Sequence, residues 1–240
     1  MNVNATLGII AAIAFALPVL IISFARLFIN ISLLALVVYF LFALSYTLMI
    51  ENVITVSTDT KRITGVLSNY LDVPLILTGM LMFCTEKWTE KLIKICLALF
   101  VIYEFMILFN YQLSSISSKY VMGPGILLIL ALSLYFFINN IKRTIMQGKG
   151  IGKTLMITSV LFAYGSYLLV YFFAFIQKTS NKADVFTIYY ITSIIFSFLM
   201  AAGLLQVKKR VKEIKEVQVT RKELTVFFDH YPKKHKRYLQ

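Results

Sequence analysis

Apolar residues in this chain fall into seven long runs separated by short polar stretches. Each run is about 20 residues long, the length that a helix needs to cross a hydrocarbon core of about 30 Å. We therefore predict an all-α fold, a seven-helix transmembrane bundle. The predicted spans cover residues 5–24, 31–50, 64–84, 92–110, 121–141, 154–176 and 185–206.

The composition agrees with a lipid environment. The chain is 59% hydrophobic, whereas a soluble domain has about 45–50% apolar residues. Connections of six to thirteen residues leave no room for an inserted soluble domain, so sequential helices should be antiparallel neighbours. We predict one domain at residues 1–206 and a basic tail at 207–240.

The second connection, residues 51–63, mixes β-branched residues with Ser, Thr and Asp, which predicts a short hairpin.

The basic residues are distributed unevenly about the predicted spans. The net charge is +13, which in a soluble protein would suggest nucleic acid. With the N-terminus outside, 19 of the 24 lysines and arginines fall on the inner side or in the tail. Positive residues near helix ends tend to stay cytoplasmic. We expect a multi-pass inner-membrane protein with its C-terminus in the cytoplasm, a lipid bilayer as its surroundings and no nucleic acid partner. The first span lacks the basic leading region of a signal peptide, so we expect it to be helix one.

Two acidic residues lie inside predicted spans. A carboxylate at mid-depth costs roughly 2.5–3.5 kcal/mol on insertion scales, so Asp72 and Glu104 should face the bundle interior. Ser68 and Asn69 share one helical face with Asp72. The two acids fall at similar depths on sequential helices and form a candidate binding or relay site. If they face each other, one should hold a proton, or a cation should lie between them. Alternatively, each is hydrogen-bonded separately to Tyr, Ser or Asn of a neighbouring helix.

The sixth span carries three tyrosines on one face. Tyr164, Tyr167 and Tyr171 are spaced at i, i+3 and i+7. Their hydroxyl groups are candidates to line a pocket with the two acids. The alternative is that the rings fill an apolar core.

The tail holds eleven basic and four acidic residues. Its first part should continue the seventh helix and lie against anionic lipid headgroups. Thr220 and Glu223 have the spacing of a capping box, which predicts a separate short amphipathic helix. The tail either anchors at the membrane surface or docks a cytoplasmic or membrane protein partner. The residues we assign to this surface are Lys208, Lys209, Arg210, Lys212, Phe227 and Phe228.

Several kinds of chemistry lack the residues they require. Both histidines, His230 and His235, lie in the tail, so no histidine falls in a predicted span. We expect no metal, no cofactor and no Ser-His-Asp triad in the bundle. The sequence favours a non-enzymatic sensor or accessory subunit with a polar intramembrane pocket. The alternative is a small-solute or proton-coupled transporter that uses Asp72 and Glu104 as relay groups.

Two local patterns accompany the seven spans. Residues 72–75, Asp-Val-Pro-Leu, are similar to the Thr-Thr-Pro-Leu of helix three in the microbial rhodopsins. Tyr164, Tyr167 and Tyr171 match the spacing of the aromatic residues that enclose retinal on helix six of that family. The seventh span contains no lysine for a retinal Schiff base. The chain thus resembles a rhodopsin relative without the retinal-binding lysine, which implies the seven-helix fold without covalent retinal.

Overall fold

The computed structural model describes residues 3–25, 30–147, 150–177 and 182–230. Within those ranges the chain is helical, with no strand, and seven helices are each long and apolar enough to cross a membrane. The all-α seven-helix prediction is confirmed. The helices are α1 (Val3–Phe24), α2 (Ile31–Ile50), α3 (Thr58–Met80), α4 (Lys87–Tyr111), α5 (Ser115–Gln147), α6 (Ile151–Tyr171) and α7 (Lys182–His230).

The helices close into a ring. Helix α1 packs against α2 and α7, α2 packs against α3, and α5, α6 and α7 follow one another. Helix α3 also contacts α5, while α4 lies outside this pair and contacts both. Asn69 and Asp72 of α3 make side-chain hydrogen bonds to α5 and α6, so this part of α3 faces the interior of the ring. An apolar layer formed by Phe15, Phe40 and Phe196 lies in the same interior, with Phe40 and Phe196 stacked at 5.3 Å between ring centroids.

The closest helix contact joins α6 to α7. A side chain on Gly203 would meet the backbone oxygen of Gly152 at 2.8 Å, and one on Gly152 would meet the oxygen of Gly203 at 2.7 Å. Small residues at a crossing let two membrane helices approach closely. The glycine pair therefore holds α6 and α7 together near the beginning of α6.

The predicted hairpin after the second span is wrong. Residues 51–57 form a turn and an extended segment, and α3 already begins at Thr58. Ser57 caps this helix, since its side chain accepts a hydrogen bond from the backbone N–H of Thr60 at 3.2 Å. Asp59 in the first turn is favourable at the positive end of a helix dipole. The polar residues that suggested a hairpin are thus the capped first turns of α3.

The separate helix predicted in the tail is also wrong, because α7 continues without a break from Lys182 to His230. The chain has no glycine or proline between Gly203 and Pro232 to end the helix. Lys208, Lys209 and Arg210 are exposed on it. Residues 231–240 and the side chains of Lys212, Phe227 and Phe228 lie outside the described part of the chain, so the surface assigned to them stays a prediction, as does the division at residue 207.

Candidate functional site

Asp72 is held by tyrosines from two other helices. The hydroxyl of Tyr164, a fully buried residue of α6, donates to Oδ1 of Asp72 at 2.8 Å. Tyr39 of α2 lies close to the same carboxyl group. Hydrogen bonds such as the one from Tyr164 offset the cost of taking a carboxyl group out of water. The α3 carboxyl group is therefore fixed in the interior between α2 and α6.

The hydroxyl groups continue from Asp72 toward α7. The Tyr39 hydroxyl lies close to Tyr167, and the Tyr167 hydroxyl lies within hydrogen-bond distance of Oγ of Ser193, at 3.2 Å. Ser193 also lies close to Tyr189. The ring of Tyr167 meets that of Tyr164 edge to face at 5.6 Å and stacks on that of Tyr189 at 5.7 Å. We call Tyr39, Tyr167, Ser193 and Tyr189 the hydroxyl row.

Glu104 lies near Asp72 without a hydrogen bond between the two acids. It is 7% exposed, and its Oε1 has no hydrogen-bond partner among the described residues. The two carboxyl groups are close enough to interact electrostatically. The sequence predicts either that the two acids face each other or that each is hydrogen-bonded to a neighbouring Tyr, Ser or Asn. Asp72 has such a separate partner in Tyr164, whereas Oε1 of Glu104 has none among the described residues. A buried acceptor without a hydrogen-bond partner lowers the stability of the fold by about 1–3 kcal/mol. A contribution to stability therefore does not explain why an acid occupies position 104, and Glu104 stays a candidate site residue.

A cavity of about 460 Å³ opens one turn along α3 from Asp72. Ser68 and Asn69 line it and precede Asp72 by four and three residues, which places all three on one face. Asn69 is oriented by its Nδ2, which donates to Oγ of Ser118 on α5 at 3.0 Å. The other lining residues come from α2, α5, α6, the turn that follows α6, and α7. They are Tyr46, Met122, Val170, Ala174, Phe175, Val185, Phe186 and Tyr189.

A π-helical turn borders the cavity. Residues Phe172–Ile176 follow α6 in this conformation and contribute Ala174 and Phe175 to the lining. Such turns are rare and occur frequently at functional sites. The Nζ of Lys119 lies 5.3 Å from the centre of the Phe175 ring and places a cation beside the cavity. This end of α6 is therefore irregular where the cavity opens.

Tyr171 does not belong to the same cluster as Tyr164 and Tyr167. Its hydroxyl donates to the backbone oxygen of Lys119 at 3.1 Å, and its ring lies against Gly123 of α5. The three tyrosines predicted to share one face of α6 therefore do not act together. Tyr164 and Tyr167 lie near Asp72, whereas Tyr171 lies at the contact with α5. The predicted pocket differs as well, because Ser68 and Asn69 line the cavity while Asp72 and Glu104 are not among its lining residues.

No family model, curated protein or solved structure matches this chain. The function must follow from the chemistry of the site itself. In the described part of the chain no three His, Cys, Asp or Glu side chains are close enough to hold a metal. The described cavity lining includes no lysine, so its residues do not fit a retinal Schiff base.

The sequence prediction missed Tyr39 and Glu51. The Tyr39 spacing to Tyr46 is seven residues, which puts both on one face of α2, a signal that was present in the sequence. Tyr46, Tyr189 and Ser193 are recognisable as polar residues of membrane helices, but their partners depend on how the helices rotate against one another. Glu51 falls in the connection after the second predicted span, and its contacts appear only in the folded chain.

Proposed function

We propose that this protein is a membrane-embedded sensor subunit that binds a small, mostly apolar molecule in the cavity beside Asp72. The observation that carries the proposal is that α7 both lines the cavity, through Phe186 and Tyr189, and continues as one helix to His230. Ligand occupancy and the far end of α7 are thereby linked through a single rigid element.

The cavity lining defines the class of ligand. A volume of about 460 Å³ falls within the usual range for small-molecule pockets, about 300–1,000 Å³. Aromatic and aliphatic side chains dominate it, while Ser68, Asn69 and the hydroxyls of Tyr46 and Tyr189 supply directional polar contacts. No charged side chain is among the described lining residues. We therefore propose a neutral, largely apolar ligand with one or two hydrogen-bonding groups.

The glycine contact supplies a pivot for transmission. Gly152 and Gly203 keep α6 and α7 together at one end, and the cavity lies between the same helices at the other. A ligand that prefers one separation of α6 and α7 shifts the population of that state. Beyond Arg210, residues 211–230 continue α7 for about 30 Å, so a small tilt at the pivot is amplified at the tail.

The proposal includes the predicted topology. The N-terminus is outside, the C-terminus is cytoplasmic, and the membrane is a bacterial-type inner membrane. The exposed Lys208, Lys209 and Arg210 then meet anionic headgroups or a protein partner. The seven-helix bundle and the tyrosine contact at Asp72 are compatible with a distant rhodopsin-like relative that does not bind retinal covalently.

A binding experiment with a matched pair of variants tests the proposal. The probe is 1-aminoanthracene, a neutral aromatic fluorophore, added to the purified chain in lipid nanodiscs. Val170→Trp fills the cavity, whereas Leu169→Trp places the same side chain at the neighbouring position, which is 54% exposed on the outside of the bundle. We expect saturable probe binding in the natural chain and in Leu169→Trp, and its loss in Val170→Trp.

A second readout follows α7. Val217 is 67% exposed on the extension, and an environment-sensitive label at Val217→Cys, with Cys84 and Cys96 replaced by serine, reports movement of the helix. The label should respond to the probe unless Val170→Trp is present. Equal probe binding in both tryptophan variants, or binding without any response at position 217, would reject the sensor proposal.

A second candidate function is a proton-coupled transporter. The buried Glu104 without a partner for Oε1, close to Asp72, favours it. Here Asp72→Asn should abolish proton uptake by liposomes that contain the protein while leaving the folded fraction unchanged. Proton uptake that does not depend on Asp72 would eliminate this candidate.

A further inference from the structure

Glu51 is a third acid whose side chain lies in a contact between helices. It follows the last residue of α2, and its Oε1 accepts a hydrogen bond from the Tyr190 hydroxyl of α7 at 2.5 Å. Gly8 of α1 lies directly against the same carboxyl group, where any larger side chain would overlap Oε1. Three helices thus meet at this carboxyl group.

The hydroxyl row nearly reaches Glu51. Tyr189, its last member, is the chain neighbour of Tyr190, and the two rings lie 5.6 Å apart. The Tyr46 hydroxyl is close enough to interact electrostatically with both tyrosines. Tyr46 and Tyr189 also line the cavity, so water in the cavity can bridge the remaining step. Oxygen atoms therefore follow one another from Glu51 at the end of α2 to Asp72 in the interior.

We propose that Glu51 exchanges protons with Asp72 along this row, so that Asp72 communicates with the water at the α2 end of the bundle. A hydroxyl group can both accept and donate a hydrogen bond, as proton transfer along a row requires. The Tyr190 hydroxyl turns away from Oε1 of protonated Glu51 and accepts its proton, every hydroxyl passes one on, and Asp72 receives one from Tyr39. Glu51 then takes a proton from water. No phenol retains a charge, and the proton lost by Glu51 equals the one gained by Asp72.

The groups around Asp72 are compatible with this role. Those that interact with it are acids and phenols, and no lysine or arginine among the described residues does so. A fixed positive charge would hold the carboxylate ionised, whereas these neighbours leave it free to take up a proton. The neighbours are Tyr39 from α2, Glu104 from α4, Tyr164 and Tyr167 from α6, and Tyr189 from α7. The inference concerns protons and does not depend on whether the cavity binds the proposed ligand.

Infrared spectroscopy after a rapid pH jump tests the exchange. The full chain in lipid nanodiscs is moved from alkaline to acidic buffer, and the rise of the carbonyl band of protonated Asp72 is timed. Asp72→Asn identifies the band by removing it. We expect Ser193→Ala, which interrupts the row, and Glu51→Gln, which removes its outer acid, each to slow the rise roughly tenfold or more.

Ser133→Ala is the matched control. Ser133 is as fully buried as Ser193, but its hydroxyl bonds to the Leu130 oxygen of its own helix at 2.9 Å. This variant should keep the natural rate. Unchanged rates in both Ser193→Ala and Glu51→Gln would overturn the proposal, and so would an Asp72 band that does not respond to the jump. Because the two variants lie at different places in the row, misfolding of one leaves the other as a test.

Discussion

The Tyr164 hydroxyl lies 2.8 Å from Oδ1 of Asp72 and joins α6 to α3 across the interior of the bundle. Tyr164 is fully buried and Asp72 is partly buried, so the tyrosine cannot exchange its partner for bulk water. The contact places the intramembrane acid of α3 at the centre of the ring.

Tyr164→Phe should destabilise the fold by about 1–3 kcal/mol, because it keeps the ring and removes the hydrogen bond between a fully buried hydroxyl and a partly buried acid. The measurement is the unfolding free energy in detergent under increasing denaturant. Tyr103→Phe is the control, since it removes a hydroxyl that bonds to the exposed backbone oxygen of Tyr120 at 2.8 Å. An equal loss of unfolding free energy in the two variants would show that the hydrogen bond to Asp72 stabilises the fold no more than the exposed one.

Gly203→Ala should destabilise the α6–α7 contact by about 1–3 kcal/mol through overpacking. The added carbon would lie 2.5 Å from Cγ of Met156 and 2.8 Å from the Gly152 oxygen. Gly165→Ala on α6 is the control, because its nearest neighbour, Cδ1 of Leu130, would be 3.9 Å away. Thermal unfolding of both variants measures the difference, and a Gly203→Ala protein as stable as Gly165→Ala would contradict the close contact.

Glu104→Met should leave the fold as stable as before, or stabilise it by about 1 kcal/mol, since it replaces a buried acceptor lacking a partner by an apolar side chain of similar length. If Glu104 serves a function, the same change should impair it, as happens where activity requires a destabilising group. Thermal unfolding and proton uptake on one preparation measure both effects. Clear destabilisation would mean that Oε1 has a partner after all.

Two cysteine positions test the proposed topology in a background without Cys84 and Cys96. Ser57 precedes α3 and Thr85 follows it, and both are exposed. An impermeant maleimide applied to whole cells should label Ser57→Cys directly and Thr85→Cys only after permeabilisation, because the basic residues near Thr85 favour the cytoplasm. The opposite labelling pattern would invert the topology and place the tail outside.

Much of the fold could be predicted because the bilayer imposes a length and a composition on every span. Residues 31–50 form α2 within the predicted bounds. The errors occur where polar residues extend helices beyond the apolar runs, as in the first turns of α3 and in the long α7. There hydropathy does not distinguish a helix end from a membrane boundary, and caps and helix breakers decide instead.

The sequence by itself determined that seven helices are long and apolar enough to cross a membrane and that Asp72 and Glu104 lie within two of them, because the costs of burying backbone and charge depend on local composition. Only the tertiary structure decided which groups meet. Whether Asp72 contacts Tyr164, and whether Glu51 contacts Tyr190, depends on the rotation and crossing of separate helices, which are set by packing among all seven. In this way two residues that are 92 positions apart in the sequence, Asp72 and Tyr164, become hydrogen-bond partners, and so do Glu51 and Tyr190, which are 139 positions apart.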